Sequence, residues 1–290
     1  MDFSRETRTE NYLRSHKWLL YLVSLITAAA LYSGVALCMI SWDHGHYWAI
    51  LPAGLLAHSF FVVTMHDGAH KGITGTNFDY FIMNFCSGLI ILPLYTELFK
   101  KYHLLHHDHT NTEFDPLWSP EKSKLFEEKR ATYALLQCLP FAFNLAIILK
   151  SQKEKHLEGI EKPKVSIPGV LLSSLVAGIV IYFAQPSVWF VLAGFTVMTS
   201  LGAIRYWGEH MGVAKEKESN THWFPLGMGI GNHEVHHHEP QYSWLTLTIG
   251  LLYRKMDTNP FRSLYGILFD KKFAHYKEHL TGVHNRTQKK

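Results

Sequence analysis

The chain has 290 residues, 47 % of them hydrophobic, and a formal net charge of +4. The apolar residues gather in long unbroken blocks with the polar residues between them, which excludes an ordinary soluble domain and points to an integral membrane protein. The modest positive charge carries no basic stripe interleaved with aromatics, so nucleic acid is excluded as a partner and anionic lipid headgroups are favoured.

The N-terminal stretch MDFSRETRTENYLRSHK is charged and lacks a signal-peptide cleavage pattern, so the first apolar block is expected to remain as an anchor. That block covers 18–40, and a second covers 47–65, joined by the short loop SWDHGHY as an antiparallel hairpin. A third apolar block, 78–95, contains Gly88 and Pro93, and a fourth, 131–149, contains Pro140. Blocks at 166–184 and 188–204 are separated only by Gln185, Pro186 and Ser187 and form a second predicted hairpin. Cys38, Cys86 and Cys138 all lie inside apolar blocks without a Cys-x-x-Cys pair, which argues against a disulfide framework and a thiolate metal site. The tail from Tyr253 onward is polar and basic with spaced aromatics, and is expected to pack on the domain outside the membrane.

Three histidine runs punctuate this order. MHDGAH sets His66 and His70 one helical turn apart. YHLLHHDHT places His103, His106 and His107 at i, i+3 and i+4, and GNHEVHHHEP repeats that spacing with His233, His236 and His237. On a helix each triple shares one face, where charged rings repel and neutral rings need donors or a metal. The runs can meet only if the ends of blocks two, three and six lie on one side of the membrane. Block three must then return or lie along the interface, and one of blocks four to six must not cross; block four, broken by Pro140, is the one expected not to. The fold predicted is all-α: four transmembrane helices in two hairpins, interfacial helices at 66–165 and 205–290, and a histidine-rich cap, in a single domain over 1–290. All 28 Lys and Arg fall on the histidine side in this arrangement, so the positive-inside rule places the cap in the cytoplasm.

Imidazole ligands suit zinc, copper, iron and nickel alike. A bilayer setting favours redox chemistry on an unreactive hydrocarbon chain, which hydrolytic metals do not perform. At this point the runs HDGAH, HLLHH and HEVHH resemble, in order, the three histidine boxes of the membrane fatty acid desaturase superfamily, over about residues 17 to 250. The resemblance implies two iron ions, dioxygen as oxidant, a membrane lipid or fatty acyl substrate, and electrons from a separate donor of ferredoxin or cytochrome type. No haem-carrier or flavin motif is fused to the chain. It also implies a further ligand at the end of the last spanning helix, which is His210 here. The implied ligand set is His66, His70, His103, His106, His107, His210, His233, His236 and His237. Asn232 would contact iron through water. Asp67, Asp108, Asp115, Glu209, Glu234 and Glu239 stand near the boxes, where a carboxylate can hold the outer N–H of a ligating ring.

The expected reaction is desaturation of an acyl chain. A hydroxylase or ketolase acting on a fatty acid, hydrocarbon or carotenoid is the alternative on the same ligands, and the three-residue gap in HDGAH resembles acyl-lipid rather than acyl-CoA enzymes. HEVHH also satisfies the His-Glu-x-x-His pattern of zinc proteases, with Glu234 as base, but that reading leaves two boxes unexplained. A metal transporter would want ligands near the bilayer midplane. His109 and His238 fall off the shared faces, His58 is expected to be buried and hydrogen-bonded, and His44 and His46 lie on the far loop. His222, His275, His279 and His284 read as surface residues.

Overall fold

The computed structural model describes residues 2–110, 112, 114–117, 120–139, 164–214, 217–270 and 273. Helices dominate them: α1 (Ser4–Ser15), α2 (Lys17–Asp43), α3 (Ile50–Phe61), α4 (Phe78–Leu89), α5 (Tyr95–His109), α6 (Pro120–Glu128), α7 (Arg130–Gln137), α8 (Ile167–Ala184), α9 (Val188–His210), α10 (His233–His238), α11 (Trp244–Leu251) and α12 (Pro260–Phe269). Two isolated bridges are the only β pairings among the described residues.

Four helical segments are long and apolar enough to span a bilayer: Lys17–Asp43, Tyr47–Ala69, Ile167–Ala184 and Val188–His210. At 1.5 Å per residue, even the shortest reaches roughly 27 Å, close to a hydrocarbon core. Their outward faces expose Leu25, Leu37, Leu171, Leu175, Trp189 and Leu192, a surface that lipid satisfies and water does not. The protein is therefore a membrane protein with four candidate spans.

Two spans outrun the apolar blocks that announce them. The second continues past Phe61 through a π-helical turn, Val62–His66, and a last helical turn, Asp67–Ala69. Thr64 Oγ1 donates to the Phe60 carbonyl at 2.7 Å, four residues back, within this loosened stretch. The last span carries on to His210 because Arg205 and Glu209, one turn apart, pair at 3.1 Å and stay inside. The third apolar block breaks at a turn where Ile91 and Leu94 have positive φ. Its helix, α4, has 12 residues, too short to cross. The fourth block is described only through α7 and Leu139, so its expected failure to cross lies outside the described residues.

Packing departs from two closed hairpins. α2 and α3 do lie together, but α8 lies along α4 and α9 along α3, so the helices flanking Gln185–Ser187 take different partners. Small residues set these approaches. A Cβ on Gly54 would stand 2.3 Å from Val197 Cγ1, and one on Gly88 would stand 2.5 Å from Val176 Cβ. Outside the apolar contact, Glu97 ties α4, α5 and the start of α8. Its buried carboxylate pairs with Lys100 Nζ at 2.8 Å and accepts from Asn84 Nδ2 at 2.8 Å and the Ser166 N–H at 3.0 Å.

α1 straps the outside of the cap to α11. Glu10 accepts from the Ser243 N–H at 3.1 Å and from Thr246 Oγ1 at 2.7 Å. Arg14 donates to the carbonyls of Gly72 at 3.0 Å and Gln241 at 3.1 Å. Trp244 then enters the core with Phe60, Met65 and Met83. Its indole N–H donates to Ser24 Oγ at 3.0 Å and its backbone N–H to Asp67 Oδ2 at 2.6 Å. The tail packs as expected as far as it is described, with α12 against α7 and α9.

Substituting Gly88→Ala forces α4 and α8 apart. The expected cost is about 1–3 kcal/mol, read as a lower unfolding temperature in detergent. Gly178→Ala, where a Cβ meets nothing within 4 Å, serves as control and leaves that temperature unchanged or slightly raised.

Candidate metal centre

Four chain segments deliver histidines to one place: the end of the second span, α5, the end of α9, and α10. All nine rings of the implied ligand set meet there, and they divide into two lobes. In the first, His66, His70, His103 and His236 each offer a nitrogen within 4.8 Å of the others. His107 joins them, its ring centre 4.5 Å from His70, 4.6 Å from His103 and 4.7 Å from His236. In the second, His106, His210 and His237 lie within the same limit. His233 Nε2 stands 2.9 Å from His210 Nε2 and 3.1 Å from His237 Nε2. The lobes touch where His107 stacks on His237 at 4.4 Å.

This division splits two of the three runs. His103 and His107, one helical turn apart, face the first lobe and His106 the second. In α10 the pair His233 and His237 faces the second lobe and His236 the first. Each triple does share a helix face, but that face straddles the boundary between the lobes.

The donor set fits metal ions. Both nitrogens of His66, His107 and His236, and Nε2 of His70 and His103, are buried with no hydrogen-bond partner. Leaving so many polar atoms unsatisfied is costly unless a metal takes them. The rings are also in the form a metal needs. Burial, reinforced by neighbouring rings, holds His103, His107, His233 and His236 well below the ordinary imidazole range. His70 is driven down to about 3 by burial and then by His106. Neutral imidazole is the ligating species.

Outer partners orient two of the rings, and carboxylates lie near two others. Asp115, fully buried, lies 2.9 and 3.0 Å from His106 Nδ1 and turns Nε2 toward His210 at 3.3 Å. Thr110 Oγ1 lies 3.2 Å from His237 Nδ1. Asp67 Oδ1 lies 3.7 Å from His66 Nδ1, and Glu209 Oε1 lies 3.5 Å from His233 Nδ1. With His210 and His233, Glu209 also forms a third group of close potential ligands.

Some of the other residues singled out in the sequence stand where expected and others do not. Asn232 is buried, with its Nδ2 donating to Glu6 at 3.4 Å and to the Leu247 carbonyl at 3.3 Å and its Oδ1 left without a hydrogen-bond partner. Glu234 accepts from the Ser219 N–H at 2.9 Å, and its other oxygen faces His238 at 3.4 Å. It is engaged away from the cluster, and the protease geometry is not formed. Asp108 is exposed because it falls off the face carrying His106 and His107, and Glu239 accepts from exposed Gln241. His58 is buried as expected, but its Nδ1 has no partner. His222, expected at the surface, is fully buried, with Nε2 3.6 Å from Glu209. Its sequence signal is a pair of distant glycines. A Cβ on Gly208 would meet the His222 ring at 2.9 Å, and one on Gly231 would meet its carbonyl oxygen at 2.0 Å. His44 and His46 are exposed at the far turn, while His275, His279 and His284 lie outside the described residues.

A cavity of about 330 Å³ opens beside the cluster, walled by His103, His106, His210 and His233 at one end and by Phe195 and Met198 at the other. Phe195 and Met198 also wall a second, apolar cavity of about 90 Å³ that extends along α2, α8 and α9 to Pro186 and Phe190 near the opposite membrane face.

Residues 45–249 match the family model described as fatty acid desaturase. No curated protein matches the chain.

Two outcomes follow for the centre. Rings held neutral stabilise the fold above about pH 6.5, the ordinary imidazole value, and that contribution is lost as pH falls toward the folded value, about 3 for His70. Chelator-treated protein should therefore lose thermal stability progressively below about pH 6.5, and His70→Gln should flatten the slope; equal slopes in the two proteins would contradict this. Asp115→Asn should weaken metal retention by about 10–100-fold in chelator competition, with the fold intact by circular dichroism.

Proposed function

The chain belongs to the fatty acid desaturase family, and on that premise we propose that it is a di-iron, O2-dependent desaturase that introduces a double bond into the acyl chain of a fatty acid or lipid. One observation carries this reading: the two-lobed imidazole cluster forms one end of a cavity whose other end is apolar and leads toward the membrane interior. Two lobes of five and four rings offer enough nitrogen donors for two ions. When bound, the irons supply the oxidising power that an unactivated C–H bond demands.

The protein's own groups do the rest. Phe195, Met198 and Phe61 wall the path a chain would follow, and burial of methylenes against them would hold its apolar part. His103, His106, His210 and His233 border the same space, so a chain lying in it passes beside both lobes. Asp115 and Thr110 hold His106 and His237 in the orientation that ligation would need. In the overall reaction two hydrogens leave adjacent carbons. Dioxygen takes them up with two further electrons and two protons and leaves as two waters.

The electrons come from a separate ferredoxin or cytochrome. We place the cluster on the cytoplasmic face, because neither described turn at the opposite ends of the spans, 44–46 or Gln185–Ser187, carries a Lys or Arg. There the basic residues offer an acidic donor a docking field whose effect should fade with added salt.

The test is lipid profiling of cells expressing wild-type protein or His236→Ala. A new unsaturated acyl chain in the wild type, lost in the variant, together with about two irons per purified wild-type chain, is the expected result. An oxygenated product dependent on His236 would assign hydroxylation or ketone formation instead. Active protein free of iron would overturn the metal assignment.

A further inference from the structure

The walls of the larger cavity contain polar groups that neither the metal centre nor an apolar acyl chain uses. Arg205 lies in the last span, five residues before His210 and so roughly 7.5 Å further into the membrane. Its side chain is 12 % exposed and faces Glu209 at 3.1 Å, yet its Nε has no hydrogen-bond partner. His58 lies in the second span, eight residues before His66, roughly 12 Å inward on the same scale. It is 3 % exposed, its ring rests on Phe224, and its Nδ1 is likewise without a partner. Tyr95 stands between Phe61 and Phe195 on the same cavity wall. Burial, opposed in part by the Arg205 charge, pushes its hydroxyl up to about 12, so it remains a neutral donor. Thr199, the nearby polar residue of α9, differs: its hydroxyl bonds carbonyls of its own helix.

Ionisable groups inside a spanning helix are costly and mark functional positions. Here three donors line a space whose apolar wall is Phe195, Met198 and Phe61, with Lys122, Gln137 and Glu209 also on its lining. We propose that Arg205, His58 and Tyr95 form a subsite for a hydrogen-bond-accepting oxygen on the substrate chain, on the membrane side of the histidine cluster. The charge balance selects the class of oxygen. Glu209 already opposes the Arg205 charge, so a carboxylate would leave excess negative charge within a span, whereas a neutral carbonyl or hydroxyl satisfies the donors without it. The substrate is thus an oxygen-bearing chain, with the oxygen seated deeper in the membrane than the carbons facing the metal ions. This rests on the reading of the cavity as an acyl-chain site and narrows it.

The test is equilibrium binding to the purified full-length protein, followed by displacement of a fluorescent polyene fatty acid. The probes are octadecanoate and a series of octadecanoates bearing one keto or hydroxyl group at successive even-numbered carbons. One or two neighbouring positions should bind about tenfold more tightly than octadecanoate, the gain expected when buried donors acquire an acceptor. In His58→Leu and in Arg205→Met the ratio of oxygenated to plain affinity should fall toward one, while Thr199→Val keeps it. Because each variant is judged by a ratio within one preparation, partial loss of folded protein does not mimic the result. Wild-type protein that binds every oxygenated isomer no better than octadecanoate would overturn the subsite, as would variants that keep the preference. If octadecanoate binds and acyl products form in cells but no isomer is preferred, the subsite fails and the desaturase reading survives. If no chain displaces the probe, the acyl-chain reading fails with it.

Discussion

A buried imidazole nitrogen needs a partner, and this protein buries a cluster of them with few protein partners to offer. Both nitrogens of His66, His107 and His236 lack hydrogen bonds, although they sit among like rings that cannot all be protonated together. The arrangement is tolerable only if the rings stay neutral and something electrophilic accepts their lone pairs. Metal ions meet both conditions, and the carboxylate of Asp115 on the far side of His106 shows how the surrounding residues turn the inner nitrogen toward the site. The rest of the fold can be read as the means of holding four chain segments against one another so that this cluster persists.

That holding is mostly polar on the cap side and mostly steric within the membrane. Glu97 joins α4, α5 and α8 through three contacts. Glu10 and Arg14 fasten α1 to the loops after His70 and His237, so the strap spans the first and third histidine runs. Asp67 lies next to His66 in the chain and accepts the backbone N–H of Trp244, which couples the end of the second span to the start of α11. Inside the spans, hydrophobic burial gives no preference for helix over lipid, so close approaches at Gly54 and Gly88 take over.

The cavity follows from the same packing. Because α8 and α9 take different partners, apolar space remains along α9, and the larger cavity runs from the imidazoles to Phe195 and Met198. Its walls are not uniformly apolar. Arg205 is held by Glu209, which in turn approaches His233 and His222. The cavity wall and the histidine cluster therefore share a carboxylate.

Local regularities were legible in the chain itself. Block length and composition determined the four spans, the i, i+3, i+4 spacing determined which rings share a helix face, and the ordered runs HDGAH, HLLHH and HEVHH determined the family. Such patterns report one helix at a time. How far each helix is rotated against its neighbours is a property of packing, and it split His106 from His103 and His236 from His233. Contacts across long stretches of chain are equally invisible to periodicity. Glu6, more than 200 residues away, took the Asn232 amide nitrogen as its donor. The approach of Gly208 and Gly231 buried His222, and the pairing of α8 with α4 opened the second hairpin. Tertiary structure decided these, because each depends on which surfaces meet once the apolar faces have found lipid or one another.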